Sequence, residues 1–223
     1  SVSYELTKNS AIKANYNRMA QYMQLISNTA SPTPLDVWTP SDSYIKPQLA
    51  DQYAIGYFRN IKDGDYTLEV ESFYKKVKNR IDYIDGADLI ANDAIEQVIL
   101  NGKMRSYGLE LLFKKNIGKL RGWVAYTLSR SEQKTPARTA FETGINNGNW
   151  YLSAYDKTHN LAITSTYEFS NKWQFAANFT LQSGQPVTFP NGKYFFQGVT
   201  VPNYGLRNQN RLPAYHRLDL SAT

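Results

Sequence analysis

The sequence predicts an all-β protein, an antiparallel up-and-down transmembrane β-barrel of which about nine strands are visible. Three observations predict this fold class. Long runs of residues alternate between apolar and polar side chains, short turns alternate with long connections, and no segment approaches the ~18–20 apolar residues of a membrane helix. The chain is 42% hydrophobic and 14% aromatic, with 17 tyrosines and 10 phenylalanines. That composition favours strands and argues against disorder.

The clearest alternation runs from Thr158 to Phe189. Its apolar residues hold odd positions in both arms: Leu161, Ile163, Tyr167 and Phe169, then Trp173, Phe175, Ala177, Phe179 and Leu181. A tight turn at Ser170–Lys172 separates the two arms. Each arm reaches the ~9–11 residues that a tilted strand needs to cross a bilayer. We expect the odd-numbered aromatic residues to face lipid, the turn to be periplasmic, and the polar partners to face the lumen: Gln174, Asn178, Thr180 and Gln182.

The other predicted strands show the same alternation of apolar and polar residues. They are predicted, in order, at Ser1–Thr7, Ile12–Ser27, Gln52–Ile61, Asp65–Tyr83, Ser106–Lys115, Leu120–Arg130 and Ala214–Thr223. The turn Lys62-Asp63-Gly64 contains Asp-Gly between two alternating runs, which is a strong hairpin signal. Glu69 and Glu71 share one face of their strand, so that face must line something wet.

Connection length alternates strictly along the chain. Short turns follow Thr7, Ile61, Lys115 and Phe169, and long connections follow Ser27, Ile84, Ser131 and Phe189. Outer-membrane barrels have short periplasmic turns and longer extracellular loops. We therefore expect the long connections outside the cell. Aromatic residues near strand ends would form the interfacial girdles: Tyr74, Tyr107, Phe113, Tyr126, Tyr167 and Trp173. The alternative is that these residues are strand formers on the core face of a soluble barrel.

Charge and cysteine content narrow the function classes. The net charge is +6 and the pI about 9.3, but basic and acidic residues mix on the same strands. A solvated or anionic-lipid-facing surface is therefore favoured over a nucleic-acid partner. With no cysteine, the chain has no disulfide scaffold, thiolate metal site or cysteine nucleophile. No amino-terminal signal peptide is recognisable, so we expect either a soluble protein or a barrel whose leader is missing.

Catalytic and metal-binding patterns are weak. His159 could pair with Asp156 as an acid and base, but no serine or second carboxylate is tied to it, so a histidine at the barrel rim is favoured. Arg217 and Asp219 should pair on the lumen side of the last strand.

Four aspartates crowd one connection and could offer oxygen ligands to Ca²⁺: Asp82, Asp85, Asp88 and Asp93. Without a known ligand spacing we favour a solvated acidic turn, and we expect no catalytic residue, metal or cofactor.

Aromatic and arginine side chains in the long connections are the candidates for ligand binding. They are Trp38, Tyr44, Trp150, Tyr151, Tyr155, Tyr194, Phe195, Phe196 and Tyr204, with Arg138, Arg207 and Arg211. Aromatic rings can stack on sugars, porphyrins or catecholate chelates, and arginine can meet an anionic ligand. The equal alternative is that these side chains pack the loops against each other.

Several segments resemble the carboxy-terminal part of the barrel of TonB-dependent outer-membrane receptors, particularly those of the Bacteroidetes type. The segment Asn210–Leu220 reads N-R-L-P-A-Y-H-R-L-D-L and is similar to a late-strand signature of that family. Three others add to it: Lys46–Tyr57 (K-P-Q-L-A-D-Q-Y-A-I-G-Y), Ser106–Glu110 (S-Y-G-L-E) and Tyr126–Ser129 (Y-T-L-S). In this order and spacing they cover nearly all the chain.

The resemblance implies a receptor that binds a scarce nutrient, such as a siderophore, haem, cobalamin or an oligosaccharide, and imports it with energy from TonB. It also implies outer-membrane lipid and lipopolysaccharide as neighbours. Residues 1–223 would then be part of a single barrel domain, without the plug, the TonB box and the terminal strand that the family carries. The TonB complex would act through that missing amino-terminal region. Two alternatives stay open: a soluble β-barrel or sandwich module for binding or adhesion, and an outer-membrane barrel hydrolase that uses His159.

Overall fold

A computed structural model describes residues 1–26, 37–87 and 94–223 of the chain. Its strands are β1 (Val2–Thr7), β2 (Ser10–Gln21), β3 (Met23–Ile26), β4 (Val37–Pro40), β5 (Gln48–Ile61), β6 (Tyr66–Tyr83), β7 (Ile99–Lys115), β8 (Leu120–Lys134), β9 (Trp150–Leu152), β10 (His159–Ser170), β11 (Trp173–Gln182), β12 (Pro186–Val187), β13 (Pro190–Phe196), β14 (Val199–Tyr204), β15 (Asn210–Arg211) and β16 (Tyr215–Ala222). Short 3₁₀ turns lie at Ile95–Gln97 and Ile145–Gly148. Within the described ranges, no helix is long and apolar enough to cross a membrane.

One antiparallel sheet dominates the fold. Its order is β1-β2-β5-β6-β7-β8-β10-β11-β16, and the short β9 pairs with β8. We call this nine-stranded sheet the wall. Strands that are neighbours in the wall are also neighbours in chain order once the small strands of the connections are set aside, so the topology is up-and-down. The predicted all-β antiparallel sheet with about nine visible strands is confirmed.

The two ends of the wall differ in their connections. Short turns join β1 to β2, β5 to β6, β7 to β8 and β10 to β11 at one end, which we name the short-turn end. The other end, the long-connection end, holds the three small sheets β3–β4, β12–β15 and β13–β14. In the turn after β5, Lys62, Asp63 and Gly64 all have positive φ, a conformation typical of tight hairpins.

Register divides the wall into an apolar face and a polar face. Along one row, Tyr57, Val70, Leu111, Tyr126, Leu161 and Leu181 lie side by side across six strands. The adjacent row, one residue along each strand, contains Gly56, Glu71, Glu110, Thr127, Asn160 and Gln182. The first set defines the apolar face and the second the polar face. Glu71 lies directly opposite Glu110, so water or a polar partner must solvate that face.

The two buried clusters lie at the ends of β6 and β7 and in the connections that pack against them. One cluster joins Ile45, Ile81, Tyr83, Ala87 and Ile99, and another joins Leu100, Ile145 and Tyr151. All of these residues lie at the long-connection end, where the loops fold over the ends of β6 and β7. Elsewhere the apolar face is open: Ile55 is 57% exposed and Leu220 is 73% exposed.

That open apolar face argues against the soluble sandwich. A sandwich needs a second sheet packed on the apolar side, and the described residues place none there. A contiguous apolar surface of this extent is typical of a membrane or protein interface.

Several predicted boundaries were wrong, and each error has a local cause. Pairing with β2, where Gln48 lies opposite Gln21, lets β5 begin at Gln48, directly after the last proline of its connection, and not at Gln52. A bulge at Asn79, where φ is 57°, lets β6 and β7 pair on to Tyr83 and Ile99, so the predicted loop 85–102 is shorter. The strand predicted up to Ser27 divides into β2 and β3, and Ser27 lies outside the described residues. The last long connection contains the hairpin β13–β14.

Candidate ligand-binding site

A cavity of about 130 Å³ opens at the long-connection end. Gln21, Arg80, Asp82 and Gln133 reach it from the wall, and by register their positions belong to the polar face. Connection residues close it from above: Ser153, Ala154, Tyr155, Arg207 and Asn208. Ile81, Tyr83 and Ile99 also line the cavity, at register positions of the other face, so the cavity lies at the end of the wall and takes its polar lining from the face that a barrel turns towards its lumen.

Arg207 forms one side of this cavity and is held in place by its contacts. Its guanidinium donates from Nη1 to Asp82 Oδ1 at 2.5 Å and from Nη2 to Asp85, and it lies 4.5 Å from the centre of the Tyr83 ring. The Arg207 side chain is only 4% exposed. Burial alone would lower the pKa of Arg207, but the negative charge of Asp82 and its neighbours outweighs burial and raises it. Arg207 therefore stays charged and ties the last long connection to the end of β6.

Tyr151 extends the same network from β9. Its hydroxyl donates to Asp82 Oδ2 at 2.5 Å and accepts from Gln133 Nε2 at 2.9 Å. The Thr135 hydroxyl lies 2.9 Å from the same oxygen. Burial, together with the charge of Asp82, raises the pKa of Tyr151 above its ordinary value. The phenol is therefore neutral and acts as a structural donor.

Two buried polar atoms lining the cavity lack partners among the described residues. They are Arg80 Nε, a charged donor, and Asn208 Oδ1, an acceptor. The rest of Asn208 is fixed, because its Nδ2 donates to the Leu152 carbonyl at 2.8 Å and its backbone N–H to Thr188 Oγ1 at 3.0 Å. Unsatisfied buried polar groups are uncommon and costly, so this pair is prepared to bind water or a polar ligand group.

A second polar centre joins the same connections near β15. The Asp156 carboxylate, buried to 1% exposure, accepts from the Ser131 backbone N–H at 2.6 Å and from the Arg211 guanidinium. Arg211 also donates to the Gly184 carbonyl at 2.9 Å and to Thr158 Oγ1 at 3.0 Å. Asp156 is thus committed to holding loops together.

Because the Asp156 carboxylate is bonded to Ser131 and Arg211, it does not form the acid–base couple considered for His159. The His159 ring contacts Tyr126 instead, with Nδ1 2.8 Å from the phenolic oxygen. The pairing of Arg217 with Asp219 is confirmed: Nε and Nη2 of Arg217 lie 2.9 and 2.8 Å from Asp219 Oδ1. Both residues share the polar face of β16 with Thr180 and Asn178 of β11.

The loop residues predicted to bind ligand divide into three groups. Tyr155 and Arg207 line the cavity. Trp38, Tyr44, Tyr194, Phe195, Phe196 and Tyr204 are exposed at the long-connection end and lie outside its lining. The remaining four are used within the fold: Trp150 packs under Arg105, Tyr151 is buried, Arg138 pairs with Glu142 and donates to the Gln97 carbonyl, and Arg211 holds Asp156.

The sequence pattern missed Arg80 and Asn208. Arg80 follows the bulge at Asn79, which shifts the alternation by one residue and moves Arg80 to the polar face. Asn208 lies in a connection without periodicity.

Of the four aspartates considered for Ca²⁺, Asp82 and Asp85 are engaged by Arg207, and Asp88 and Asp93 lie outside the described residues. No cluster of metal-binding side chains occurs in the part of the chain that the structure describes.

The family model described as TonB dependent receptor-like, beta-barrel matches residues 1–223. No curated protein sequence matches the chain. Among solved structures, the chain is similar to the pyoverdine outer membrane receptor FpvA from Pseudomonas aeruginosa PAO1, with 15% identity and a TM-score of 0.63 over 99% of this chain and 28% of that one. It is also similar to the ferric-catecholate import receptor Fiu from E. coli K12, with 18% identity and a TM-score of 0.60 over 98% and 27%.

A third similar structure is the FrpB iron transporter from Neisseria meningitidis, with 13% identity and a TM-score of 0.56 over 99% of this chain and 30% of that one. The chain therefore spans between a quarter and a third of the length of these three structures. At these identities the likeness to the solved structures shows the fold alone. Membership of the family is shown by the match of the family model over residues 1–223. The narrower resemblance to the Bacteroidetes type stays a prediction.

Proposed function

Because the chain belongs to the family of TonB-dependent receptor β-barrels, which lie in the bacterial outer membrane, we propose that it captures a ligand at its long-connection end and admits it to the periplasm. Proteins of this family are receptors and transporters, not enzymes. The apolar face then contacts lipid and the polar face lines the lumen, since the wall must hide its apolar side from water. The long connections lie outside the cell.

The observation that carries this proposal is the cavity of Arg80 and Asn208. Its polar lining comes from the face assigned to the lumen, at the long-connection end, and it offers a charged donor and an acceptor whose partners are not supplied by the described residues. At about 130 Å³ it is smaller than the ~300–1,000 Å³ usual for small-molecule sites. It therefore receives one polar arm of a larger ligand.

An anionic ferric chelate fits these features best. Arg80 offers the positive charge that a carboxylate, hydroxamate or catecholate oxygen prefers, and Tyr155, 65% exposed, offers a ring at the mouth. By their descriptions, two of the similar structures are a ferric-catecholate import receptor and an iron transporter, and the third is a receptor bound to pyoverdine. Haem, cobalamin and oligosaccharides are the other nutrients that we would test.

Two further parts of the proposal follow from the family. We propose that residues 1–223 form part of one larger barrel, in which further strands pair with the edges β1 and β16. An unpaired strand edge in lipid leaves backbone groups without partners, so such pairing is required. Energy for uptake would come from the TonB complex, through a region of the receptor that precedes the barrel.

Binding of a chelate panel to the purified complete receptor tests this function. We expect one ferric chelate to bind and Arg80→Gln to weaken it at least about tenfold, the size of a charged hydrogen bond. Arg59→Gln, at the short-turn end, is the matched control and should bind normally. The proposal fails if no iron chelate competes, or if Arg80→Gln binds the selected ligand as tightly as the wild type.

A further inference from the structure

The tripeptide Asn-Gly-Lys occurs at residues 101–103 and again at residues 191–193, and Asn-Gly occurs a third time at Asn147-Gly148. In an Asn-Gly pair the asparagine side chain is readily attacked by the following backbone nitrogen, because glycine has no Cβ to hinder the approach. The attack closes a five-membered imide ring, which requires the asparagine to leave the extended conformation of a strand. The surrounding structure, and not the local sequence, therefore decides which of these sites reacts.

Asn101 lies in the interior of the wall. It is part of β7, where it pairs with Ile81 of β6, and Gly102 pairs with Arg80. On the other side β8 approaches so closely that a Cβ on Gly102 would lie 2.6 Å from the carbonyl oxygen of Lys134. Rotation of this peptide must disturb the pairing with both neighbouring strands, so the imide ring does not close readily here.

Asn147 is exposed but belongs to a turn that is fixed by hydrogen bonds. Its backbone N–H donates to the Gly144 carbonyl at 3.1 Å, and the N–H of Asn149 donates to the Asn146 carbonyl at 3.2 Å. The Asn146 side chain accepts from the backbone N–H of Arg207 at 2.8 Å and donates to the Arg207 carbonyl at 3.0 Å. Opening of this turn therefore disturbs contacts that hold the last long connection.

Asn191 lies in the hairpin β13–β14, which is a sheet of only two strands among the described residues. Every residue of β13 is exposed. A register shift between Pro190 and Gly192 leaves Asn191 without a partner residue on β14. A two-stranded hairpin in water is marginally stable, so this segment leaves the extended conformation at lower cost than the wall or the turn at Asn147.

The surroundings of Asn191 also favour the attack chemically. Its Oδ1 accepts from Nδ2 of Asn203 at 3.1 Å, so the donor withdraws electron density from the carbonyl carbon that is attacked. The same donor stabilises the negative charge that develops on this oxygen during the attack. A Cβ on Gly192 would meet nothing within 4 Å, so no neighbouring group crowds the residue whose nitrogen attacks.

We propose that Asn191 is a site of spontaneous deamidation. The backbone nitrogen of Gly192 bonds to Cγ of Asn191 and the Cγ–Nδ2 bond breaks, so the side-chain amide leaves as ammonia with the proton of the glycine N–H. Water then opens the imide at one of its two carbonyl carbons. Opening at Cγ breaks the new bond and gives an aspartate, whereas opening at the backbone carbonyl breaks the original peptide bond and gives an isoaspartate. Neither step needs an oxidant, a reductant or an enzyme.

Both products change the hairpin, since each replaces a neutral amide by a carboxylate. The isoaspartate also adds one methylene to the backbone, which shifts β13 against β14. The shift disturbs the pairing of Tyr194 with Val201 and of Phe196 with Val199. The hairpin therefore changes as the receptor ages, whereas the ligand cavity, whose lining contains no residue of β13 or β14, keeps its structure.

Peptide mapping of the purified complete receptor tests this site. The receptor is aged in detergent at mildly alkaline pH in water labelled with heavy oxygen, and mass spectrometry then identifies each new carboxylate by its label. We expect residue 191 to gain label at least about tenfold faster than residue 101, the matched Asn-Gly-Lys site in the same molecule, and faster than residue 147. In denaturant, residues 101 and 191 should gain label at similar rates.

Gly192→Ala is the matched variant, because the space around Gly192 admits a Cβ and the added carbon hinders the attacking nitrogen. It should slow labelling at residue 191 about tenfold and leave residue 101 unchanged. Resistance of the folded barrel to SDS at room temperature shows that each sample stays folded during ageing.

Four results would overturn the proposal: equal labelling of residues 101 and 191 in the folded receptor, fastest labelling at residue 147, a difference between residues 101 and 191 that persists in denaturant, or unchanged labelling of residue 191 in Gly192→Ala. None of these measurements depends on the nutrient that the receptor binds.

Discussion

The guanidinium of Arg207 and the carboxylate of Asp82 form a buried ion pair, with 2.5 Å between Nη1 and Oδ1, that joins segments 125 residues apart in the chain. Both side chains are at most 9% exposed. The pair lies between the ligand cavity and the loop core, so it couples the last long connection to the wall at the place where ligand is proposed to bind.

Replacing Arg207 with Ala should release that connection. The change leaves the carboxylate of Asp82 buried without its cation, which typically costs about 3–5 kcal/mol in such sites. Hydrogen exchange of the complete receptor should show lost protection at residues 205–211, with β10 and β11 unchanged. Arg138→Ala is the control, because its exposed pair with Glu142 is worth at most about 1 kcal/mol. Unchanged protection at residues 205–211 would show that the ion pair does not hold the loop.

Tyr151 should remain un-ionised at a pH at which exposed tyrosines titrate. Burial and the charge of Asp82 raise its pKa in the folded state, so the folded receptor holds this proton more tightly than the unfolded one. The resulting stability is present below pH ~10 and is lost as pH rises above that value. Absorbance at 295 nm up to pH 11 should be the same for wild type and Tyr151→Phe when folded, and should differ by one tyrosine in denaturant. A difference in the folded state would contradict the buried, neutral phenol.

Gly122 should tolerate no side chain. Its φ is 154°, and a Cβ there would lie 2.1 Å from the carbonyl oxygen of Thr164 on β10. Ala at this position must therefore push β8 away from β10, and we expect a loss of about 2–3 kcal/mol in the free energy of unfolding. Gly192 is the control, since a Cβ there meets nothing within 4 Å. Thermal unfolding in detergent distinguishes them, and equal midpoints for the two Ala variants would disprove the close approach.

A lysine should destabilise the barrel when it is placed on the apolar face of β11 and have little effect on the polar face. Phe179 lies on the apolar face beside Leu218, and Asn178 lies on the polar face beside Asp219. Phe179→Lys should cost about 2–4 kcal/mol in a lipid bilayer, whereas Asn178→Lys should cost little. Phe179→Ala separates the loss of ring volume from the cost of charge. A larger loss for Asn178→Lys in bilayer unfolding experiments would reverse the assignment of the lipid face.

Strand pairing was largely predictable, because alternation with a period of two is a local signal that the register preserves. The hairpin predicted between Thr158 and Phe189 forms with its turn where expected, but its second arm ends at Gln182 and not at Phe189. The ends of strands were less predictable: the bulge at Asn79 depends on pairing with β7, which no local pattern records.

The candidate site was predictable in its chemistry and only partly in its members. Loop aromatics and arginines were expected, and Tyr155 and Arg207 do line the cavity. Arg80 and Asn208 were not expected, because their roles arise from a register shift and from contacts between distant loops. For Tyr151, ligand contact and packing within the loops were equal alternatives; its side chain is buried and its hydroxyl is bonded to Asp82 and Gln133.

Cysteine labelling in intact cells tests most directly the central claim that the wall crosses the outer membrane with its long connections outside. Residues 1–223 contain no cysteine, so each substitution adds a single thiol to this part of the receptor, and the unsubstituted complete receptor gives the background. Phe195→Cys lies in the exposed hairpin of the last long connection, and Asn171→Cys lies in the short turn between β10 and β11. In the complete receptor, a membrane-impermeant maleimide should label Phe195→Cys in intact cells, and Asn171→Cys only after the outer membrane is permeabilised. Labelling of Asn171→Cys but not of Phe195→Cys in intact cells would contradict the account.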